Sequence, residues 1–508
     1  MTEIILGPPG TGKTTTLLAQ VEAELSRGVA PDRIGFVTFT RRAAEEAVSR
    51  ACAKFELTRD DLPYFRTLHS LCFRALGLGR GDVLDGKRLK EDFAAHAGLK
   101  ITGRWTDDGT LSGYELGDRL LFRENLARVR QISLREQYDL DSDGLPWREL
   151  ERASRALVDF KGQQGLLDYT DMLSRFVEEA SPPRLDVLFV DEAQDLSRLQ
   201  WSVVRMLATT TRRVVVAGDD DQAIYAWAGA DAAHLVDMEG DARVLGQSWR
   251  CPYEVQALGL NIIEPIAKRR PKEWAPREGG GQVSRAASFE EVQVSEDWGD
   301  ADVQPVLVLA RNEYVLRGEV EPELRLRGVL YERNGALSVG GGLLKAIINW
   351  EDLRAGREVS VKEALRAYEW MTSGKGVARG HKKLPGFSEE EVVSLGALQA
   401  KGGLLTTSIW HEALDRVPRD EMSYVLACLR AGEKLRHPHP RVRISTIHGS
   451  KGGEARHVVL FREMARRTFR EMEADPDSER RCWYVGVTRA RERLTVVGGR
   501  TRQECPWL

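Results

Sequence analysis

The chain is poor in cysteine, lacks any long apolar run and carries no excess of positive charge. Its six cysteines (Cys52, Cys72, Cys251, Cys428, Cys482 and Cys505) are scattered over 508 residues with no Cys-x-x-Cys pair. That spacing excludes a disulfide framework and argues against a zinc or iron–sulfur site, so reduced thiols in a cytoplasmic protein are expected. No stretch reaches the roughly 18 consecutive apolar residues of a membrane-spanning helix. The opening "MTEIILGPPG" has neither the basic start nor the long apolar segment of a secretion signal. It runs directly into a glycine-rich turn and is expected to belong to the fold. Net charge is −3, from 74 basic and 77 acidic side chains. No global basic field announces nucleic acid, so such binding must rest on where charges are placed, and arginines do gather between Arg441 and Arg502. At 42% hydrophobic and 30% charged, the composition is that of a chain able to bury cores rather than a disordered one.

What is present is a series of short β-branched runs, each ending in a loop: "EIIL", "IGFVTF", "VLFVDE", "RVVVAGD", "PVLVLAR", "RHVVLF" and "LTVVGG". Nearly continuous apolar character is the mark of strands buried on both faces of a parallel sheet. Helical stretches such as "TTTLLAQVEAELSR" lie between them, and the alternation predicts α/β units. The strands fall into an early and a late group, so two such units are expected, over residues 1–76 with 163–243 and residues 244–336 with 440–508. Two mainly helical stretches, residues 77–162 and 337–439, interrupt them as inserted subdomains, the second reduced.

"GPPGTGKTT" fits the phosphate-loop pattern G-x-x-x-x-G-K-[ST] between an expected strand and an expected helix. Gly7, Pro8, Gly10, Thr11, Gly12, Lys13, Thr14 and Thr15 are the expected nucleotide cradle. Glycines let backbone N–H groups turn toward phosphate, Lys13 reaches the outer phosphates, and the Thr14 hydroxyl suits Mg²⁺. "LFVDEAQD" ends a second strand in two carboxylates. Asp191 is expected to hold Mg²⁺ and Glu192 to orient and deprotonate the attacking water. The competing reading is a pair of exposed acids capping the next helix. Hydrolysis also needs positive charge over the γ-phosphate, for which Arg250 and Arg489 are candidates. Alone, either arginine reads more readily as a surface ion pair.

"GDDDQAIYAWAGA", Gly218 to Ala230, joins acids to aromatics. With "GPPGTGKTT", "FVTFTRRAA", "TLHSLC", "LDYTDML", "VDEAQD", "LGQSWRCP", "TIHGSKGGEA" and "YVGVTRARERL", in chain order, it resembles the UvrD/Rep group of superfamily 1 DNA helicases. The resemblance implies two RecA-like P-loop motor domains using ATP and Mg²⁺, with single-stranded DNA and 3′-tailed duplex as substrates. Lys13, Asp191 and Glu192 keep the roles above. Gln222 resembles the residue that senses the γ-phosphate, and Arg250 and Arg489 resemble the two arginines of the second motor domain. Glu454 resembles a ribose contact. Phe39, Thr67, His69, Tyr225, Trp227, Thr446 and His448 match positions on or near the DNA path. The acid-and-glutamine end of "GDDDQAIYAWAGA" is then expected beside phosphate and its aromatic end where bases stack, since base–aromatic stacking tolerates any sequence. For Tyr225 and Trp227 the alternative is simple core packing.

Several positions depart from the family pattern. The family's glutamine motif, which reads adenine, has no counterpart upstream of Gly7. Trp249 stands where tyrosine is usual and still offers a face for a purine. Ala228 stands where arginine often follows the tryptophan, and Gly453 and Ala455 replace a common Leu and Phe. The expected activity is DNA-stimulated ATP hydrolysis with 3′-to-5′ translocation and unwinding in replication, repair or recombination. Two alternatives are a translocase that remodels DNA–protein complexes with little unwinding, and a nucleotide-switched DNA-binding module. No membrane partner is expected.

Overall fold

The computed structural model describes residues 2–38, 41–105, 111–294 and 305–508. Two compact units share the chain. The first is built from residues 1–251, 260–279 and 475–484, the second from residues 252–259, 280–474 and 485–508. Segments distant in sequence complete each unit.

In the first unit six strands form a wholly parallel sheet: β1 (Thr2–Leu6), β2 (Ile34–Thr38), β3 (Phe65–Thr67), β4 (Leu185–Val190), β5 (Thr211–Gly218) and β6 (Asp241–Val244), in the order β3-β2-β4-β5-β1-β6. The central strands carry the apolar runs and bury both faces. Ile4, Leu188 and Val216 pack on one side with Leu68 and Leu173, and Ile5, Phe189 and Val215 on the other with Leu17 and Val21. The edge strand β6 is exposed along its length. Helix α1 (Lys13–Ser26) follows β1, and α2 (Leu68–Ala75) follows β3.

Between β3 and β4 lies the helical stretch, including α3 (Leu116–Val129), α4 (Trp147–Gln164) and α5 (Tyr169–Glu179). A buried ion network ties the three. Asp168, which caps α5, meets Arg128 of α3 at 2.8 Å and Lys161 of α4 at 2.6 Å, and Asp171 meets both bases. Helix α6 (Pro476–Val487) brings residues 475–484 into this unit, where Cys482, Trp483 and Tyr484 are buried.

The main sheet of the second unit has seven strands: β7 (Gln282–Ala286), β8 (Val306–Ala310), β9 (Tyr331–Arg333), β10 (Ala336–Leu337), β11 (Val442–Thr446), β12 (Ala455–Phe461) and β13 (Ala490–Val497). Their order is β10-β9-β11-β8-β12-β13-β7, parallel except for the β9–β10 hairpin. Helices Gly341–Arg354, Val361–Glu369 and Arg419–Arg430 interrupt the sheet's strands, and Trp350 and Tyr368 are fully buried among them. Both units are therefore α/β with parallel sheets, as the strand and helix alternation predicts. Among the described residues no helix is long and apolar enough to cross a membrane.

Candidate nucleotide and nucleic-acid site

β1 delivers its last residue, Leu6, straight into the glycine-rich turn, and α1 begins at Lys13. Gly12 caps α1 in the left-handed region, no side chain caps the helix, and no acid stands in its first turn. The first-turn N–H groups and the helix dipole thus face an anion site rather than a protein carboxylate. Two glycines are sterically required. A Cβ at Gly7 would fall 1.9 Å from Lys13 Cγ, and one at Gly10, whose φ is +73°, would fall 2.3 Å from Arg250 Cβ. Thr11 Oγ1 donates to the Pro8 carbonyl at 2.8 Å and closes the turn. Lys13 Nζ donates to the Gly7 carbonyl at 2.9 Å.

β4 lies next to β5, which lies next to β1, so Asp191 and Glu192 emerge at the same sheet edge as the turn. Thr14 Oγ1 donates to Asp191 Oδ2 at 2.8 Å. Burial, and then the charge of Glu192, raises the Asp191 carboxyl to about 6, against the opposing pull of the Thr14 hydrogen bond and the Lys13 charge. A hydroxyl and a buried carboxylate short of compensating charge are a fitting pair for a divalent cation. Glu192 is itself in the left-handed region at φ 52°, an uncommon conformation for a β-carbon residue.

Gln194 joins these carboxylates to the next motif. Its Nε2 donates to Glu192 Oε2, and its Oε1 accepts from the backbone N–H of Asp219 at 2.9 Å. Asp219 Oδ2 in turn accepts from Gln222 Nε2 at 2.7 Å. A continuous hydrogen-bonded path therefore runs from Glu192 to Gln222. Asp219, Asp220 and Asp221 are buried around Lys272, whose Nζ lies 3.1, 2.5 and 2.9 Å from their carboxylates in turn. Arg269 adds a two-pronged pair to Asp221 at 2.8 and 2.6 Å. Burial works to raise the Asp219 carboxyl, but the Lys272 and Lys13 charges outweigh it and hold it below the usual carboxylate range. Three and five residues beyond this anchored turn, which ends at Gln222, the backbone carries Tyr225, half-buried, and Trp227, 51% exposed.

The "QSWR" loop docks on the phosphate turn. Ser248 Oγ donates to the Pro9 carbonyl at 2.7 Å, and the Trp249 N–H donates to the Gly10 carbonyl at 2.8 Å. The indole of Trp249 is 68% exposed, and Arg250 sits against Gly10. The first unit thus brings together the cradle residues, Asp191, Glu192, Gln222, Trp249 and Arg250.

Residues 2–243 match the UvrD/REP helicase N-terminal domain, and residues 441–497 match the UvrD-like helicase C-terminal domain. The chain belongs to the UvrD/Rep-like helicases. It is 25% identical over 315 residues to the ATP-dependent DNA helicase PcrA of Staphylococcus epidermidis, covering 55% of this chain and 40% of that protein. PcrA of Bacillus subtilis is 25% identical over 305 residues with the same coverage. DNA helicase II of Haemophilus influenzae is 23% identical over 609 residues, spanning 98% of this chain and 82% of that protein. The chain thus matches about two-fifths of the length of the PcrA relatives.

The remaining residues assigned from the UvrD/Rep resemblance are dispersed. Thr67 caps α2, and its Oγ1 accepts from the Ser70 N–H at 3.3 Å. His69, two residues on in the same first turn, is buried and edge-on to Tyr169. Both line a groove of about 850 Å³ that also presents Arg59, Arg66 and Arg80. Phe39 lies outside the described residues. In the second unit Thr446 ends β11, and its Oγ1 accepts from the Gly449 N–H at 3.1 Å, with His448 in the turn between. Arg489 is buried there, donating to the carbonyls of Val485 at 3.0 Å and Gly453 at 3.1 Å. Glu454 pairs with Arg491 at 3.1 Å.

Sequence reasoning gave no role to Gln194, Ser248 or Lys272. Gln194 stood inside a quoted motif and was the legible one. Lys272 had no local signal, because its three partners lie about fifty residues away along the chain.

Proposed function

We propose that the protein is an ATP-driven motor that translocates on single-stranded DNA and unwinds 3′-tailed duplex in the 3′-to-5′ direction, acting in the cytoplasm. The observation that carries this reading is the hydrogen-bonded path from Glu192 through Gln194 and Asp219 to Gln222, which is followed three and five residues on by Tyr225 and the exposed Trp227. A group that responds to phosphate and a group suited to stacking on bases share one anchored loop.

In this reading the turn from Gly7 to Thr15 holds the phosphates of ATP, and Thr14 with Asp191 holds Mg²⁺. The bound metal supplies charge neutralisation on the phosphates. Glu192, oriented by Gln194, accepts a proton from the attacking water. Gln222 reports on the γ-phosphate, and Lys13 and Arg250 stabilise charge there. Arg489 is assigned to the same step and Glu454 to the ribose. Trp249 offers its exposed indole to the adenine. Tyr225 and Trp227 stack on bases, and Thr67, His69, Thr446 and His448 contact the strand, with Phe39 assigned to the same path. A change at phosphate then alters the seat of the stacking loop.

The direct test measures ATP turnover with and without oligo(dT), and strand displacement on 3′- and 5′-tailed duplexes. DNA-stimulated turnover with displacement of the 3′-tailed substrate alone is the expected result. Stimulated turnover without displacement would leave a remodelling translocase, and turnover indifferent to DNA would remove the coupling. Affinity for oligo(dT) is expected to fall steeply with salt, because phosphate contacts release counterions; a flat titration would count against a backbone-tracking groove.

A further inference from the structure

The loop that carries Trp227 is bonded at its end, Ala230 and Asp231, to residues 196–198, and around the indole it is seated on the helical stretch. Ala226 and Ala228 flank the indole with nothing but methyl groups, so its anchoring comes from elsewhere. Helix α3 supplies it from one face. The Phe122 ring stacks on the Trp227 ring at 6.2 Å between centroids and 23° between planes. One and two turns on, Leu126 and Val129 press against Gly229 so closely that a Cβ there would lie 2.6 Å from Val129 Cγ2. Arg130 Nη2 donates to the Ala226 carbonyl at 3.2 Å. The spacing 122, 126, 129 places these side chains on one stripe of a helix. The helix is itself held through Arg128 to Asp168 and Asp171.

The indole is 51% exposed while Phe122 lies against its ring, so it keeps surface that a base can reach. A ring that must bind flat ligands binds better when it cannot swing, since freezing a rotatable side chain costs binding free energy. Offset aromatic stacking at this separation supplies that restraint. Resting on the reading of Trp227 as a base-stacking residue, we infer that Phe122 is a positioning residue of the DNA platform, backing the indole without itself touching the nucleotide. The helical stretch is thereby part of the DNA-binding machinery at this point.

The test is a double-mutant cycle on the full chain, reading the Kd for oligo(dT) and for an abasic oligomer of equal length. Phe122→Ala weakens oligo(dT) binding roughly two- to tenfold, the range of an aromatic pair. Phe122→Tyr restores it. Phe122→Leu, which keeps an apolar seat but no flat face, remains weakened. The penalty vanishes on the abasic oligomer, where there is no base to stack, and the double variant with Trp227→Ala binds no worse than Trp227→Ala alone. Wild-type affinity in both Phe122→Ala and Phe122→Leu, or full additivity with Trp227→Ala, would overturn the inference. So would an equal penalty on the abasic oligomer, which marks a purely structural role. Should Phe122→Ala fail to fold, by thermal unfolding, the Leu and Tyr variants carry the test. Trp227→Ala with unchanged affinity would remove the platform reading and this inference together, whereas weak Trp227→Ala beside wild-type Phe122 variants removes the inference alone.

Discussion

At the scale of single residues, Gly10 shows how tightly the phosphate turn is specified. Its φ of +73° suits glycine, and Arg250 occupies the space a methyl group would need. Gly10→Ala is therefore expected to cost about 1–3 kcal/mol and to displace the Ser248–Arg250 loop, read as a lowered urea midpoint together with lost ATP turnover. Lys13 carries the opposite kind of constraint. Its charge acts on both Asp191 and Asp219, so its removal alters the field of the whole site while leaving the aromatic loop in place. Lys13→Ala should lower ATP turnover by roughly a hundredfold or more while oligo(dT) binding persists. Phosphate release and fluorescence anisotropy separate the two effects, and wild-type turnover would end the phosphate assignment.

At the scale of elements, the helical stretch is held by charge as much as by apolar packing. Asp168 is fully buried between Arg128 and Lys161. Burial acts to raise its carboxyl, but the two cations outweigh that and hold it well below the usual carboxylate range. A depressed folded pKa means the ionised form is favoured by folding. Its stabilisation is present above the unfolded value of about 3.9 and fades as pH falls below it. Asp168→Asn removes the buried carboxylate shared by Arg128 and Lys161, leaving them Asp171, and Arg128 also Glu124, and should cost about 1–3 kcal/mol at neutral pH. Urea midpoints followed from pH 7 into acid should therefore converge for the two proteins; parallel curves would contradict the network's role. Because this same network fixes α3, the variant is also expected to loosen the seat of Trp227.

At the scale of the whole molecule, the first unit is not a single length of chain. It needs residues 475–484, whose Arg481 donates to the Asp220 carbonyl at 2.9 Å and whose Arg480 donates to the Ile262 carbonyl at 2.8 Å. Trp483 and Tyr484 are buried in full, each contributing about 1.5–3 kcal/mol or more by burial. A fragment of residues 1–279 lacks this segment and is expected to melt at a lower temperature, with a broader transition, than the full chain. A sharp transition at the full-chain temperature would show that the segment is dispensable.

The amino-acid order alone determined what depends on neighbours in sequence. The phosphate turn follows from glycine spacing between a strand and a helix. Strands β1, β2, β4, β5, β8, β12 and β13 follow from continuous apolar runs. Their parallel pairing follows from being buried on both faces. The short or edge strands β3, β6, β7, β9 and β10 were not legible, since a strand of two or three residues, or one exposed like β6, needs no apolar run. β11 alternates buried and exposed positions and was missed for a related reason. Only the tertiary structure decided that Lys272 neutralises Asp219 to Asp221, that Ser248 rests on Pro9, and that Phe122 lies behind Trp227. Those pairings join residues about 50, 240 and 100 positions apart. Burial and charge compensation select such partners only once the chain has closed on itself, and no local pattern encodes them.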